Sequence, residues 1–171
     1  MNTLKSKIRN IENFPQTGVT FRDITPLLAD HALLQRAVQA MVDPFRNGNI
    51  TAVAGMEARG FIFGSLAAWE LGVGFIPLRK PGKLPHQVEK VDYQLEYGSA
   101  TLEVHLDAIN AGDKILLIDD VLATGGTARA SCQLVEQLGG EIVGCSFLVE
   151  IMPLNGRKQL ENYPLNSLIH Y

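Results

Sequence analysis

The sequence predicts an α/β fold, a mainly parallel twisted sheet flanked by helices. Three observations carry that prediction. Short aliphatic runs alternate with helix-length stripes along most of the chain, a pattern satisfied by parallel strands joined through crossover helices. Glycine-bearing turns and charged residues stand directly after three of those runs, where an open α/β sheet holds its ligands. Of the 171 residues, 46% are hydrophobic, enough for one core of ordinary size. A single domain over residues 1–171 is the expectation.

The elements follow in order. Leu4, Ile8 and Ile11 recur at helical spacing until "FPQTGVTFRDITP" breaks the pattern. Asp30 reads as a helix cap for the stripe Leu33, Leu34, Ala37, Val38, Met41, Val42 and Phe45, which frays at Pro44 and Gly48. Next come a strand "TAVAG", a polar turn "MEARG", a helix "FIFGSLAAWELG" and a strand "GFIPLR". From Lys80 to about Glu96 no helix is evident, and "YQLEYGSATLEVHL" alternates as a hairpin turning near Gly98 and Ser99. A strand ending in "ILLIDD", a turn, a helix closing at Gly139–Gly140 and the strand "EIVGCSFLVEI" complete the series.

Composition excludes several partners. A net charge of −3 argues against a general nucleic-acid or anionic-membrane surface. The start, "MNTLKSKIRNIENF", has no signal-peptide core, and the longest uncharged apolar stretch, "GFIFGSLAAW", is too short for a bilayer. Cys132 and Cys145 make neither a disulfide framework nor a zinc pattern, so a reducing cytoplasm is the default. His31, His105 and His170 have no metal-like spacing.

The chemistry concentrates in "ILLIDDVLATGGTA", residues 115–128. Gly125 and Gly126 let backbone amides from Ala123 to Thr127 converge on an anion, and Thr124 and Thr127 add hydroxyls. The following helix contributes its free amides and dipole. The loop lacks the lysine of GxxxxGK[ST] and does not match GxGxxG, which weakens ATPase and dinucleotide readings. Asp119 and Asp120 point to opposite faces of a strand, so they cannot flank one scissile bond as a glycosidase pair does. They can accept hydrogen bonds from vicinal sugar hydroxyls while the loop holds a phosphate of the same sugar. The blander account is a plain strand-to-helix turn behind a solvated strand end.

That stretch resembles the phosphoribosyl pyrophosphate signature of the type I phosphoribosyltransferases. "GMEARGF", "RKPGKLPH" and "LEYG" narrow the resemblance to the adenine phosphoribosyltransferase family, and it extends from "GVTFRDITPLL" to "SLIHY". The resemblance implies the type I phosphoribosyltransferase fold, with a small N-terminal hood (about 1–35) and a flexible hairpin lid (about 80–105). It implies that adenine and phosphoribosyl pyrophosphate become AMP and pyrophosphate, in purine salvage. It also implies a homodimer, and Mg²⁺ held mainly by the substrate rather than by the protein.

Site residues carry over position by position. The ribose 5-phosphate of AMP falls to Asp119, Asp120, Ala123, Thr124, Gly125, Gly126 and Thr127. Pyrophosphate falls to Glu57, Ala58, Arg59, Lys80, Lys83 and His86, with an unusual peptide conformation, such as a cis bond, near Glu57–Ala58. Adenine falls to Thr20, Phe21, Arg22 and Leu154, largely through backbone groups. Glu96 would handle protons beside the purine, and Arg59 is the second catalytic assignment. Ala58 stands where some relatives carry serine. Taken singly, each has an ordinary reading: Arg59 as a surface residue, the lysines as a solvated loop, Glu96 as a soluble hairpin residue and Phe21 as a core anchor. Two rivals stay open, a phosphoribosyltransferase for another purine and a nucleotide-binding regulator without turnover.

Overall fold

The computed structural model describes residues 2–94 and 98–171. Its first elements are α1 (Asn2–Lys5), β1 (Arg9–Glu12), β2 (Thr20–Asp23) and the one-turn helix α2 (Thr25–Leu28). Then come α3 (His31–Val42), β3 (Ala52–Met56), α4 (Gly60–Leu71) and β4 (Gly74–Leu78). The remainder comprises β5 (Val88–Gln94), β6 (Ser99–His105), β7 (Lys114–Leu122), α5 (Gly126–Gln137), β8 (Glu141–Glu150) and β9 (Leu165–His170).

Five strands form a parallel sheet in the order β4-β3-β7-β8-β9. The chain winds from β3 outward to β4, then returns across β3 and winds the other way through β7, β8 and β9. The reversal lies between β3 and β7, which is where such sheets open a crevice at their carboxyl edge. Ile115, Leu116, Leu117 and Ile118 are all fully buried, as strands covered on both faces must be. Leu116 and Ile118 pack with Met41, Phe63 and Leu27 beneath α3 and α4. Ile115 and Leu117 pack with Leu134, Val135 and Leu102 beneath α5 and the β5–β6 hairpin. Each such side chain contributes about 1.5–3 kcal/mol of burial, and Ile118→Ala would cost roughly 2–5 kcal/mol.

Local chemistry sets the helix ends. The Asp30 carboxylate accepts the Leu33 amide at 3.2 Å, capping α3, whose buried stripe is Ala37, Val38, Met41 and Val42. Pro44 sits in the 3-10 turn Asp43–Phe45 that ends it. No described helix is long and apolar enough to cross a membrane.

Four sequence expectations are corrected. Helix α1 stops at Lys5, and Arg9–Glu12 instead pairs antiparallel with Thr20–Asp23; strand pairing overrides the helical spacing of Leu4, Ile8 and Ile11. The lid segment is strand from Val88 onward, in register from Val88↔His105 to Gln94↔Ser99. The turn expected near Gly98 and Ser99 falls partly on 95–97, outside the described residues. The aspartates stand inside β7, which continues to Leu122. Finally, β9 has no counterpart in the predicted series, because Asn166 and Ser167 interrupt its apolar pattern. Asn166 is accommodated by donating to the Ala40 carbonyl and Ser146 Oγ, both at 3.1 Å.

Candidate active site

At the sheet reversal, β7 presents its two acids to different neighbours. Asp119 lines a cavity of about 80 Å³ together with residues 121–128. Asp120, nearly buried, faces the start of α4, where Arg59 Nε lies 2.8 Å from its Oδ2. The ion pair lacks hydrogen-bond alignment, so that oxygen has no hydrogen-bond partner. Burial, reinforced by the Asp120 charge, pushes the Asp119 carboxyl well above the ordinary carboxylate range. Burial also raises Asp120, against the pull of Arg59. Asp119 Oδ1 accepts the Asp120 amide at 2.8 Å and stands where a side chain at Gly60 would be, 2.6 Å from an ideal Cβ. Only glycine lets α4 begin so close to β7.

The cradle follows. Gly125 adopts φ +85° and caps α5, which begins at Gly126. A Cβ on Gly125 would collide with the Gly156 carbonyl, so that residue is doubly constrained. Gly126 has no positive φ; it is the first residue of a helix, a position most side chains accept. The free amides of α5 thus open toward a hollow bounded by Thr124 and Thr127, a geometry suited to an anion.

Residues after β3 and β4 meet beside it. The Glu57–Ala58 peptide is cis. Glu57 Oε2 accepts both Arg79 Nε and the Lys80 amide at 3.0 Å. Burial pushes the Glu57 carboxyl up, but the Lys80 amide and Arg79 outweigh it and hold it below its usual range. Arg79 and Glu103 exchange backbone hydrogen bonds at 2.9 and 2.7 Å, and Glu103 also accepts the Gly82 amide at 3.1 Å. Lys80, Lys83 and His86 are exposed, with the His86 ring edge-on to His105, 6.1 Å between centroids.

The N-terminal hairpin supplies Phe21, whose ring lies 4.9 Å beneath the Arg59 guanidinium and edge-on to Phe14 at 5.3 Å. Arg22 turns its side chain away, to Asn10 Oδ1 at 2.5 Å and over the Tyr171 ring at 3.8 Å. Thr20 pairs with Glu12 at the hairpin end. Leu154 sits on the turn after β8, 42% exposed. Phe21, Arg59, and Asp120 with the cradle are therefore brought to one edge from three separate segments. Glu96 lies outside the described residues.

Two residues, Glu103 and Tyr93, were missed by the sequence reading, and Arg79 was legible only as part of the basic cluster with Lys80, Lys83 and His86. Arg79 and Glu103 fix the segment carrying Lys80 and Lys83. Tyr93, on β5, places its hydroxyl 3.2 Å from Thr127 Oγ1. Its signal was available: it shares a strand face with the buried Val91.

An anion cradle beside paired acids, at the reversal of a parallel sheet, is the arrangement of a phosphoribosyl transferase domain, and the family of that description matches residues 23–167. The adenine phosphoribosyltransferase of Methylococcus capsulatus is 62% identical over 171 residues, 100% of each chain. The crystal structure of the Rhodothermus marinus adenine phosphoribosyltransferase superposes with a TM-score of 0.96 at 50% identity, covering 99% of this chain and 97% of that one. The Saccharomyces cerevisiae adenine phosphoribosyltransferase, crystallised with adenine and an imino-altritol bisphosphate, gives 0.91 at 39% identity, covering 96% and 95%. The chain belongs to the adenine phosphoribosyltransferase family.

Proposed function

We propose that this chain transfers the 5-phosphoribosyl group of phosphoribosyl pyrophosphate to adenine, giving AMP and pyrophosphate, as a step of purine salvage. The single observation that carries it is the cradle of residues 123–127 standing beside the Arg59–Asp120 pair at the sheet reversal. A sugar bearing a phosphate at one end and a charged leaving group at the other spans that distance of chemistry. The yeast relative that holds adenine supports the base assignment.

In this reading the amides of 123–127 and the hydroxyls of Thr124 and Thr127 hold the 5-phosphate. Asp119 and Asp120 accept from the ribose hydroxyls. Arg59, through charge-assisted bonds, draws on the pyrophosphate, with Lys80, Lys83 and His86 closing over it and Glu57 and Ala58 shaping the floor. Adenine stacks near Phe21, framed by Thr20, Arg22 and Leu154. At the anomeric carbon the bond to the pyrophosphate oxygen breaks as the bond to the adenine nitrogen forms, through an oxocarbenium-like transition state. Glu96 takes part in the proton change at the base. Positioning and exclusion of water supply the acceleration.

Mg²⁺ fits as an ion carried by the substrate. Among the described residues no three His, Cys, Asp or Glu side chains are placed to hold one, and Glu57 is committed to Arg79 and Lys80. When bound, the ion offsets the charge of the pyrophosphate oxygens. A homodimer belongs to the same reading; Trp69, 86% exposed, and Leu34, Val38 and Leu66 line an apolar groove that a second copy could cover. A cytoplasmic setting suits the two buried free thiols, Cys132 and Cys145, 3.8 Å apart.

The test is a panel of adenine, hypoxanthine, xanthine and guanine at fixed phosphoribosyl pyrophosphate. AMP formation from adenine well above the other products is the expected result. Equal or better turnover of hypoxanthine would sink the adenine assignment. Tight nucleotide binding without product would favour a regulator.

A further inference from the structure

Tyr93 is not among the groups assigned above, yet it touches the cradle. It stands on β5, half-buried, with its hydroxyl 3.2 Å from Thr127 Oγ1. It reaches that atom from outside: Asp119 and residues 121–128 line the cradle. Tyr93 lines the adjoining hollow of about 260 Å³, which shares Thr124 and Gly126 with the cradle and is bounded beyond them by Arg129, Gln133 and Gln159. The hydrogen bond by which Tyr93 touches the cradle is the one to Thr127 Oγ1.

We propose that Tyr93 is a positioning residue for the phosphate loop, donating to Thr127 Oγ1 and thereby turning the Thr127 proton toward the anion. This rests on the assignment of the 5-phosphate to residues 123–127. Each hydroxyl carries a single proton. If Thr127 donated to Tyr93, only lone pairs of Thr127 would face a negatively charged phosphate. With Tyr93 as donor, its proton goes to Thr127, the Thr127 proton goes to the phosphate, and the two bonds polarise one another. A phenolic O–H is also a stronger donor than an aliphatic hydroxyl. The Thr127 backbone is fixed independently, its carbonyl accepting Ser131 Oγ at 2.8 Å, so what remains to be set is the direction of the hydroxyl.

A second consequence concerns the hairpin. β5 carries Tyr93 at one end of this segment. At the other end of the segment, the Arg79–Glu103 backbone bridge ties β6 to the residue after β4. The Tyr93–Thr127 bond ties β5 to the phosphate loop. Occupancy of the cradle thus bears on the β5–β6 hairpin as well.

The experiment compares Tyr93→Phe, Thr127→Val and the double variant, measuring AMP dissociation constants by calorimetry and KM for phosphoribosyl pyrophosphate and adenine. Tyr93→Phe is expected to weaken AMP and phosphoribosyl pyrophosphate by about three- to tenfold, the range of one hydrogen bond. The KM for adenine should stay within twofold. On the Thr127→Val background Tyr93→Phe should have no further effect, while on Thr127→Ser its effect should return. Unchanged AMP affinity in Tyr93→Phe, an undiminished loss on top of Thr127→Val, or equal weakening of adenine would overturn the inference. Gly125→Ala separates the two layers. If it weakens AMP and Tyr93→Phe does not, only the role of Tyr93 fails. If neither Gly125→Ala nor Thr127→Val weakens AMP, the phosphate-loop reading itself fails.

Discussion

Arg59 Nε stands 2.8 Å from Asp120 Oδ2, a half-exposed cation beside a carboxylate only 6% exposed. The pair joins the loop after β3 to the end of β7 across the sheet reversal. It also opposes the burial that raises the Asp120 carboxyl. Because the oxygen has no aligned donor, the pair can open without giving up a well-made hydrogen bond. Arg59→Lys keeps the charge but loses the planar fork. The expected outcome is a rise of about tenfold or more in KM for phosphoribosyl pyrophosphate, with KM for adenine nearly unchanged, in steady-state assays. Arg59→Ala should also lower stability by roughly 1–2 kcal/mol in urea melts, since it leaves Asp120 without its cation.

Asp119 is expected to trade stability for function. Burial and the Asp120 charge raise its pKa in the folded chain above the model-peptide value of 3.8. Folded molecules then bind more protons than unfolded ones between that value and the raised one, so this group's contribution to stability falls as pH rises through that interval. Asp119→Asn keeps the oxygen that accepts the Asp120 amide and removes the charge. Its Tm should match that of the parent near pH 3.5 and exceed it at pH 8, while kcat/KM for phosphoribosyl pyrophosphate falls. A variant destabilised at pH 8 would count against this account.

The two cradle glycines are not equivalent. Gly125 has φ +85° and the Gly156 carbonyl in the place of its Cβ, whereas Gly126 opens a helix. Gly125→Ala is expected to cost about 1–3 kcal/mol in backbone strain and to weaken AMP markedly. Gly126→Ala should cost less than about 0.5 kcal/mol, because alanine suits a helix. Calorimetric titration of both with AMP checks the contrast; equal losses would mean that space near the anion, and not φ, sets the requirement.

How far the chain discloses its site depends on the kind of interaction. The aliphatic run into Asp119 and Asp120 and the glycine turn are local patterns, and β7, the cradle and α5 lie where those patterns put them. The cap at Asp30 was equally legible, since capping involves residues three apart. The β5–β6 hairpin was legible too, but strand pairing elsewhere was not. Arg9–Glu12 became a strand only because Thr20–Asp23 lies against it, and β9 formed around the distant Ala40 carbonyl. The links Glu57–Arg79, Arg59–Asp120 and Tyr93–Thr127 span 22, 61 and 34 positions, and no periodicity encodes such a pairing. Glycine spacing suggested two equivalent residues at 125 and 126; backbone geometry distinguishes them.

Glu57 provides the sharpest separation between the two ends of the substrate. Its carboxylate accepts Arg79 Nε and the Lys80 amide, and so sets where the lysine-bearing segment leaves β4. In the proposed reading it belongs to the pyrophosphate side, and it does not line the cradle. Glu57→Gln is therefore expected to raise KM for phosphoribosyl pyrophosphate by about three- to tenfold while leaving the dissociation constant of AMP, which has no pyrophosphate, within twofold. The pH dependence gives a second reading. Its pKa is held below the usual 4.5, so its stabilising contribution is complete above that value and lost as pH falls through the lowered one. Melting curves from pH 3 to 6 should show Glu57→Gln with a flatter acid limb than the parent. A variant that weakens AMP as much as phosphoribosyl pyrophosphate would place Glu57 in support of the whole crevice and not of one end.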